Sequence, residues 1–278
     1  MKLLANAKIN LTVYITGKNS NGYHLLDSVF QSVSLFDEID IEKSDLISVS
    51  FSDKMIDGDK SVAYKAATAF FDCTGISGGA DIRIENNIPT SSGLGGGSSD
   101  AAAVLIGLTH LYGAGLTLED LIKISLPLGA DIPFCLVGGT ARVKGIGEAV
   151  SPLGFIGNIP LIIIKDCKKA STADMYGKLD ELPLADARTY AFINSMHLPD
   201  KRSIFGNISN TFDSIVDTAK EKAALKNSGA LYAGLSGSGP SVFGIFEDED
   251  LRDIAFDKLK EDHNCYKAEF SPFGVQII

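Results

Sequence analysis

A glycine- and serine-rich stretch, IPTSSGLGGGSSDAAAV at residues 88–104, carries the clearest chemical signal in the sequence. It runs into an amphipathic pattern that predicts a helix beginning at Ser98 or Ser99. A helix start presents unpaired N–H groups and the positive end of the helix dipole, and glycines let the backbone approach a ligand closely. The stretch therefore predicts a phosphate-holding loop, in which the hydroxyls of Ser98 and Ser99 can reach a phosphate or a metal ion.

This loop differs from two common nucleotide-binding loops. It lacks the lysine of the GxxxxGK[ST] pattern, and GLGGGS lacks both the last glycine of GxGxxG and the surrounding βαβ unit. A plain glycine-rich turn before a helix is the alternative interpretation. A second stretch, GLSGSGPS at residues 234–241, lies between apolar runs. Two such stretches in one acidic chain favour two walls of a single anion site.

Charged and polar residues elsewhere in the chain could serve such a site. Apolar residues alternate with polar ones over residues 7–16, which predicts a strand that places Lys8 and Asn10 together on its face away from the core. Taken alone, Lys8 is equally consistent with a solvated lysine at a strand edge. Asp131 lies in GADIPF, where the simplest interpretation is a cap on a turn before Pro133.

The elements that must position these residues mix strands and helices without strict alternation, which favours an α+β or two-layer class. Hydrophobic periodicity predicts strands over residues 28–43, 80–86, 129–148 and 159–166, the last of them buried on both faces. It predicts helices over residues 60–73, 98–112, 117–126, 213–226 and 250–261. A domain boundary is expected near residues 150–160.

Composition excludes several classes of protein. The formal charge is −10 with no basic block, so no nucleic-acid surface is predicted. No run reaches the roughly 18 apolar residues of a membrane span. The four cysteines are far apart, so neither a zinc site nor a disulfide framework is indicated, and we expect free thiols in the cytoplasm.

Three long motifs together resemble the GHMP kinase superfamily. They are AKINLTVYITGKNSNGYH, IPTSSGLGGGSSDAAA and AGLSGSGPSVFGIF, in that order along the chain. The resemblance implies a two-domain α+β fold, with an N-terminal ATP-binding domain at residues 1–152 and a substrate-side domain at residues 153–278. It further implies a ribosomal protein S5 domain 2-like fold for the first domain and a ferredoxin-like α/β sandwich for the second.

The resemblance is closest to members that act on a cytidine diphosphate-linked methylerythritol, because NGYH, GADIPFCLVGGTARVKGIGE, KASTADMY and GNISNTF all match at the expected intervals. It implies ATP-dependent phosphorylation of the 2-hydroxyl of that small molecule with Mg²⁺, in the non-mevalonate route to isopentenyl diphosphate. It implies no nucleic-acid or membrane partner, and a monomer or homodimer. Two alternatives stay open: another kinase of the superfamily, such as a homoserine or shikimate kinase, and a non-catalytic ligand sensor on the same scaffold.

Motif by motif, the resemblance also assigns roles to residues. Asp131 would be the general base and Lys8 would stabilise the transferring phosphate. Asn10, Tyr23, His24, Thr172 and Tyr176 would bind the substrate, and Ser99 would lie nearest Mg²⁺. The residues implied to wrap the ATP phosphates are Pro89, Thr90, Ser91, Ser92, Gly93, Leu94, Gly95, Gly96, Gly97, Ser98 and Ser99.

The sequence departs from the family pattern at two places. Ser91 and Ser92 stand where small apolar residues are frequent, and Ser61 stands where an asparagine is common. These departures concern the contacts to adenine and not the reaction.

Overall fold

The structure of the chain is a computed structural model, which describes residues 1–166, 172–180 and 189–278. Its strands are β1 (Lys2–Lys18), β2 (His24–Ser44), β3 (Ser48–Phe51), β4 (Gly79–Glu85), β5 (Thr140–Gly145), β6 (Ala149–Pro152), β7 (Pro160–Ile164), β8 (Ser209–Asn210), β9 (Tyr232–Leu235), β10 (Val242–Ile245), β11 (Cys265–Glu269) and β12 (Val275–Ile277). Its helices are α1 (Val62–Thr74), α2 (Gly96–Tyr112), α3 (Leu118–Ser125), α4 (Ile132–Val137), α5 (Thr172–Leu179), α6 (Thr189–Ser195), α7 (Lys201–Phe205), α8 (Ala219–Asn227) and α9 (Glu249–Leu259), with short 3-10 turns at Gly58–Lys60 and Thr211–Ser214. None of these helices has the length and apolar character needed to cross a membrane.

The first sheet is built around β1, whose alternating pattern predicted a strand. Its order is β12-β1-β2-β4-β3, with β5 paired to β2, β6 paired to β5 and β8 paired to β1. Helices α1 to α4 cover it through a core that includes Phe70, Leu105 and Phe134 against Ile82. This packing holds the start of α2 and the turn before α4 close to the middle of β1.

The second sheet has the order β11-β7-β10-β9, with all neighbours antiparallel. Every residue of β7 is buried, as its continuous apolar run predicted. Leu161 and Ile163 pack into a core shared with Ile9 of β1, whereas Ile162 and Ile164 pack into another core under α8 and α9. Successive side chains of β7 therefore point to opposite faces of its sheet. One face packs against the first sheet, and the other is covered by helices α8 and α9.

Three of the predicted elements need correction. Helix α2 begins at Gly96, with Gly95 at its N-cap in the left-handed region (φ 77°), and not at Ser98 or Ser99. Residues 132–137, predicted as part of a strand, form α4, because a short apolar run is ambiguous between buried strand and helix and Pro133 is tolerated in a first helical turn. Helix α8 begins at Ala219, after a 3-10 turn in the region predicted to be helical from residue 213.

The mixed strand and helix content confirms the α+β class. The boundary at residue 152 stays a prediction. The second sheet starts soon after it, at Pro160, while β8 and β12 return to pair with β1 in the first sheet.

Candidate active site

Lys8 and Asn10 of β1 meet side by side. The ammonium nitrogen Nζ of Lys8 donates to Oδ1 of Asn10 at 2.8 Å. The alternating pattern predicted this shared face, but it also predicted a face away from the core, whereas the two side chains are only 4% and 3% exposed. The backbone of Gly237 covers both side chains. A Cβ atom added to Gly237 would lie 3.6 Å from Nζ of Lys8 and 3.4 Å from Oδ1 of Asn10.

Asp131 completes this cluster from the other side. Its Oδ2 atom lies 3.3 Å from Nζ of Lys8, so the structure brings together the pair that the sequence assigned to catalysis. Asp131 precedes α4 at the N-cap position, yet among the described residues its side chain makes no capping hydrogen bond to the helix. With 35% of its side chain exposed, the carboxylate can face a molecule in solution, while the ammonium behind it is buried.

A cleft with a volume of about 570 Å³ opens above this cluster. Most of the glycine- and serine-rich loop lines it, namely Pro89, Thr90, Ser91, Ser92, Gly93, Gly95, Gly96, Gly97 and Ser98. The N-terminal turn of α2 forms part of the same wall. Its backbone N–H groups and helix dipole favour an anion there.

Two residues of the assigned loop point elsewhere. The side chain of Leu94 is buried in the core, and its carbonyl accepts the backbone N–H of Lys8 at 2.8 Å. The hydroxyl of Ser99 is fully buried and donates to the carbonyl of Asn6 at 2.6 Å. The structure therefore does not bring the hydroxyl of Ser99 to the cleft, whereas Ser98 lines it.

Glycine is required at two positions of the loop. Gly93 has φ 83°, and a Cβ atom there would lie 2.7 Å from the carbonyl oxygen of Ser236 and 2.8 Å from that of Gly239. Gly95 has φ 77°, and a Cβ atom there would lie 3.0 Å from Cγ of Lys8. The loop can therefore pack against its neighbours only without side chains at these two positions.

The second glycine- and serine-rich stretch forms the β9–β10 connection and touches the first. The hydroxyl of Ser236 donates to the carbonyl of Gly93 at 3.1 Å, and the backbone N–H of Ser241 donates to the carbonyl of Ser92 at 3.1 Å. The two stretches thus adjoin, as the sequence predicted, and each sheet contributes one of them.

A pair of buried carboxyl groups, Asp37 and Asp100, lies behind the loop. Asp37 accepts the backbone N–H groups of Asn87 at 2.6 Å and Ile88 at 2.7 Å. Burial raises the pKa of Asp37, and burial together with the negative charge of Asp37 raises the pKa of Asp100 well above its usual range. Both shifts favour the protonated form of the pair, and the shift is larger at the more deeply buried Asp100.

Sequence reasoning missed this pair. The helix predicted over residues 98–112 includes Asp100 without marking it as buried, whereas the residue is only 3% exposed. Its Oδ1 atom has no hydrogen-bond partner among the described residues. A sequence signal was present, because Asp100 is followed by an uninterrupted apolar run that predicts burial.

Of the aromatic residues assigned to the substrate, Tyr176 lines the cleft, and His24 lies against it. The ring of Tyr176 stacks on that of His24, with centroids 4.6 Å apart and planes inclined by 28°. Phe212 meets Tyr176 edge-on at 5.1 Å. Tyr23 is 64% exposed beside them. Thr172 begins α5, but its side chain lies outside the described residues.

Tyr176 lines the cleft as a neutral group. Burial, and secondarily the negative charge of Asp131, raises the pKa of its phenol to about 12. The phenol thus stays protonated at neutral pH, so it can pack and donate a hydrogen bond but does not act as a base.

The end of the cleft beyond the loop is apolar. Phe51, Ile56 and Val62 line it. Ser61, which departs from the family pattern, caps α1 there: its hydroxyl accepts the backbone N–H of Tyr64 at 3.0 Å and donates to the carbonyl of Gly58 at 2.6 Å. Its hydroxyl is therefore occupied by the helix start, and the surface around it suits a flat apolar ring.

Comparison with known proteins identifies the family of this chain. The model of the GHMP kinases N-terminal domain matches residues 61–139, and that of the GHMP kinases C-terminal domain matches residues 214–265. A protein named 4-diphosphocytidyl-2-C-methyl-D-erythritol kinase from Clostridium perfringens is 40% identical over 271 residues, covering 94% of this chain and 93% of that protein. One of the same name from Clostridium botulinum is 38% identical over 266 residues, covering 92% and 95%.

Solved structures agree with these relatives. The crystal structure of a 4-(cytidine 5'-diphospho)-2C-methyl-D-erythritol kinase superposes with a TM-score of 0.80 at 29% identity, covering 98% of this chain and 99% of that one. A homoserine kinase from Cytophaga hutchinsonii superposes with a TM-score of 0.76 at 19% identity, covering 100% and 97%, which shows a shared fold. The chain belongs to the GHMP kinase family, with the two-domain fold of that family, and is an ATP-dependent small-molecule kinase.

Proposed function

We propose that the chain transfers the γ-phosphoryl group of ATP to the 2-hydroxyl of 4-diphosphocytidyl-2-C-methyl-D-erythritol, giving the 2-phosphate and ADP. This places it in the non-mevalonate route to isopentenyl diphosphate. The observation that carries the proposal is the Lys8 ammonium, which lies between Asp131 and Asn10 at the floor of a cleft walled by the glycine loop. The relatives named 4-diphosphocytidyl-2-C-methyl-D-erythritol kinase match nearly the whole chain, which supports the choice of substrate.

The loop and the start of α2 suit the phosphates of ATP. Backbone N–H groups of a glycine-rich turn and a helix N-terminus bind phosphate without a lysine of their own. The apolar end, with Phe51, Ile56 and Val62, suits the adenine ring. The loop itself carries no cation, and among the described residues that line the cleft Lys8 supplies the positive charge, its stem lying against Gly95.

The residues around the loop also fit Mg²⁺ carried by ATP. Among the described residues, no group of three or more His, Cys, Asp or Glu could hold a metal ion by itself. Magnesium usually binds through one or two protein oxygens together with substrate phosphates and water. Such an oxygen lines the cleft at Ser98, beside the start of α2. When bound, the ion supplies charge neutralisation on the phosphates.

The chemistry then needs a base and a cation beside the hydroxyl. The substrate oxygen forms a bond to the γ-phosphorus while its proton passes to Asp131, and the bond from phosphorus to the bridging oxygen breaks to release ADP. The partly exposed carboxylate of Asp131 can reach the hydroxyl, and the buried Lys8 ammonium stabilises charge on the transferring group. Asn10 orients that ammonium through its side-chain oxygen and contacts the sugar-like part of the substrate.

The nucleotide part of the substrate belongs at the aromatic end. Tyr176, His24 and Tyr23 offer ring faces and polar edges to a pyrimidine. Thr172, at the start of α5, completes this assignment from the sequence motif alone. The roles of all these residues are part of the proposal.

A coupled assay of ADP release with the purified chain tests the function. We expect turnover with 4-diphosphocytidyl-2-C-methyl-D-erythritol and none above background with homoserine, shikimate or mevalonate. Turnover with one of those alcohols instead would overturn the substrate but keep the kinase. Saturable binding of the cytidine compound, with no ADP from any alcohol, would support a ligand sensor.

A further inference from the structure

We propose that Asp180 is a positioning residue that fixes the tautomer of His24, so that the ring presents an unprotonated Nδ1 to the substrate and selects cytosine over uracil. The inference rests on the proposed function and adds a residue that the sequence motifs did not single out. Asp180 directly follows α5, the helix that carries Tyr176. Its carboxylate lies 2.8 Å from Nε2 of His24 and 2.5 Å from Nζ of Lys18.

The direction of the hydrogen bond to His24 follows from the charge on Asp180. Hydrogen bonds from Lys18 and then His24 hold the pKa of Asp180 below its usual value, so the carboxylate is ionised at neutral pH. An ionised carboxylate can only accept hydrogen bonds. Nε2 of His24 must therefore be the donor, and in a neutral imidazole the other nitrogen, Nδ1, then carries a lone pair.

The ring of His24 lies beside the cleft, against a residue that lines it. The ring is stacked on Tyr176, which lines the cleft, and 14% of the His24 side chain is exposed. Among the side chains that the structure describes, those of residues 1–166, 175–180 and 189–278, no hydrogen-bond partner of Nδ1 is found. Stacking fixes the plane of the ring and Asp180 fixes its rotation, so Nδ1 is an acceptor at a defined place.

Cytosine and uracil differ in the exocyclic group to which such an acceptor could hydrogen-bond. Cytosine carries an exocyclic amino group, which donates, whereas uracil carries a carbonyl oxygen at the same position, which accepts. The amino group of cytosine can donate a hydrogen bond to Nδ1. The carbonyl oxygen of uracil cannot, because it and Nδ1 are both acceptors and their lone pairs repel each other. A site built to hydrogen-bond one group strongly rejects an analogue that lacks it.

Comparing cytidine and uridine substrates tests this idea in the full-length kinase. We expect the wild-type chain to show a higher kcat/KM for the cytidine diphosphate-linked alcohol than for its uridine analogue, by at least about tenfold. Asp180→Asn keeps the shape but can donate to Nε2, which releases the tautomer. We expect it to reduce that ratio by about tenfold, mainly through KM for the cytidine substrate.

Two further variants separate positioning from general damage. Asp180→Glu keeps the acceptor charge and should restore most of the cytidine preference. Asp257→Asn makes the same chemical change in an exposed ion pair with Lys260 on α9, and should leave the ratio at the wild-type value. A ratio that is the same in Asp180→Asn as in the wild type overturns the inference.

The nitrogen NMR signals of the His24 imidazole report its tautomer in a measurement that does not depend on kinase activity. We expect the proton of His24 on Nε2 in the wild type and a mixture of tautomers in Asp180→Asn. A wild-type ring protonated on Nδ1 overturns the inference even if the kinase activity is as proposed. If neither nucleotide substrate is phosphorylated while the proton is on Nε2, the proposed function and the selection of cytosine fail together, and the role of Asp180 in fixing the tautomer stands.

Discussion

The Lys8 ammonium and the Asp131 carboxylate lie 3.3 Å apart but differ sharply in their access to water. Lys8 is 4% exposed and Asp131 is 35% exposed. The cation is therefore held in a nearly dry position where its field is strong, while the carboxylate remains open to a hydroxyl in the cleft. This asymmetry gives the two residues separate roles that mutation can distinguish.

Asp131→Asn should abolish most turnover while leaving the fold intact. The amide is nearly the same size as the carboxylate but cannot accept the hydroxyl proton at neutral pH. We expect kcat to fall by about 10²–10⁴-fold, with little change in the KM for ATP, in steady-state ADP-release kinetics. Asp257→Asn is the matched control on the surface of α9. Full turnover in Asp131→Asn would remove this residue from the role of base.

Lys8→Met should remove the cation while keeping the apolar stem. The stem packs against Gly95, and Nζ lies 4.8 Å from the ring centroid of Phe30, so methionine can occupy the same space. We expect kcat to fall by about 10²–10³-fold, because the transferring phosphoryl group loses its stabilising charge. Loss of the donor to the buried Asn10 should also lower the free energy of unfolding by about 1–3 kcal/mol.

The control for that variant is Lys43→Met, the same change at an exposed lysine of β2. It should keep both kcat and the urea midpoint close to wild type. If Lys8→Met lost stability but kept kcat, Lys8 would be structural only.

Gly93→Ala should disturb the contact between the two glycine loops. A Cβ atom there lies under 3.0 Å from the backbone oxygens of Ser236 and Gly239, and the backbone has φ 83°. We expect the free energy of unfolding to fall by about 1–3 kcal/mol and the KM for ATP to rise. Gly97→Ala is the stability control, since it lies within α2 and no described atom is within 4 Å of its added Cβ.

Urea denaturation of the two glycine variants checks this prediction. Gly97→Ala should be as stable as the wild type or more stable by about 0.5–1 kcal/mol, because alanine favours a helix over glycine. Equal free energies of unfolding for Gly93→Ala and Gly97→Ala would show that the loop can shift away from Ser236 and Gly239 without loss of stability.

Asp100→Asn should flatten the pH dependence of stability. The pKa of Asp100 is raised in the folded state, so between the unfolded and the folded pKa the folded chain binds more protons and loses stability as the pH rises. The slope reaches at most about 1.4 kcal/mol per pH unit for one proton. An asparagine amide can donate the same hydrogen bond to Asp37 without a proton to lose.

Urea melts from pH 4 to pH 8 measure this effect. The free energy of unfolding of Asp100→Asn, relative to wild type, should increase steadily across that range. Asp72→Asn, at an exposed position of α1, should instead follow the wild-type curve. A constant difference between Asp100→Asn and wild type would show that the pair does not share a proton.

Local patterns in the sequence predicted the parts of the site that lie on one element. Alternation over residues 7–16 predicted β1 and the shared face of Lys8 and Asn10, and glycine content predicted the loop before α2. Hydrophobic periodicity over residues 117–126 likewise predicted α3, which begins at Leu118. Each of these elements depends on residues that are only a few positions apart, so its pattern can be seen in the sequence itself.

Contacts between distant elements were beyond such patterns. Asp37 meets Asp100 only because β2 and α2 pack together, and Asp180 meets His24 only because α5 lies across the start of β2. The exact start of α2 was also missed, since serine is the commoner N-cap and the glycine at residue 95 caps only in the left-handed conformation. Ser98 lines the cleft, as predicted for both serines, whereas the hydroxyl of Ser99 donates to the carbonyl of Asn6 in β1.

Because Ser236 donates a hydrogen bond to Gly93, the cleft wall formed by the two glycine loops needs a contribution from each sheet. The first sheet also takes β8 and β12 from the second half of the chain, so a chain cut after residue 152 would lack two of its strands as well as the second glycine loop. The first glycine loop of such a fragment would have no opposing backbone to hold its shape, and we expect the fragment to bind nucleotide poorly.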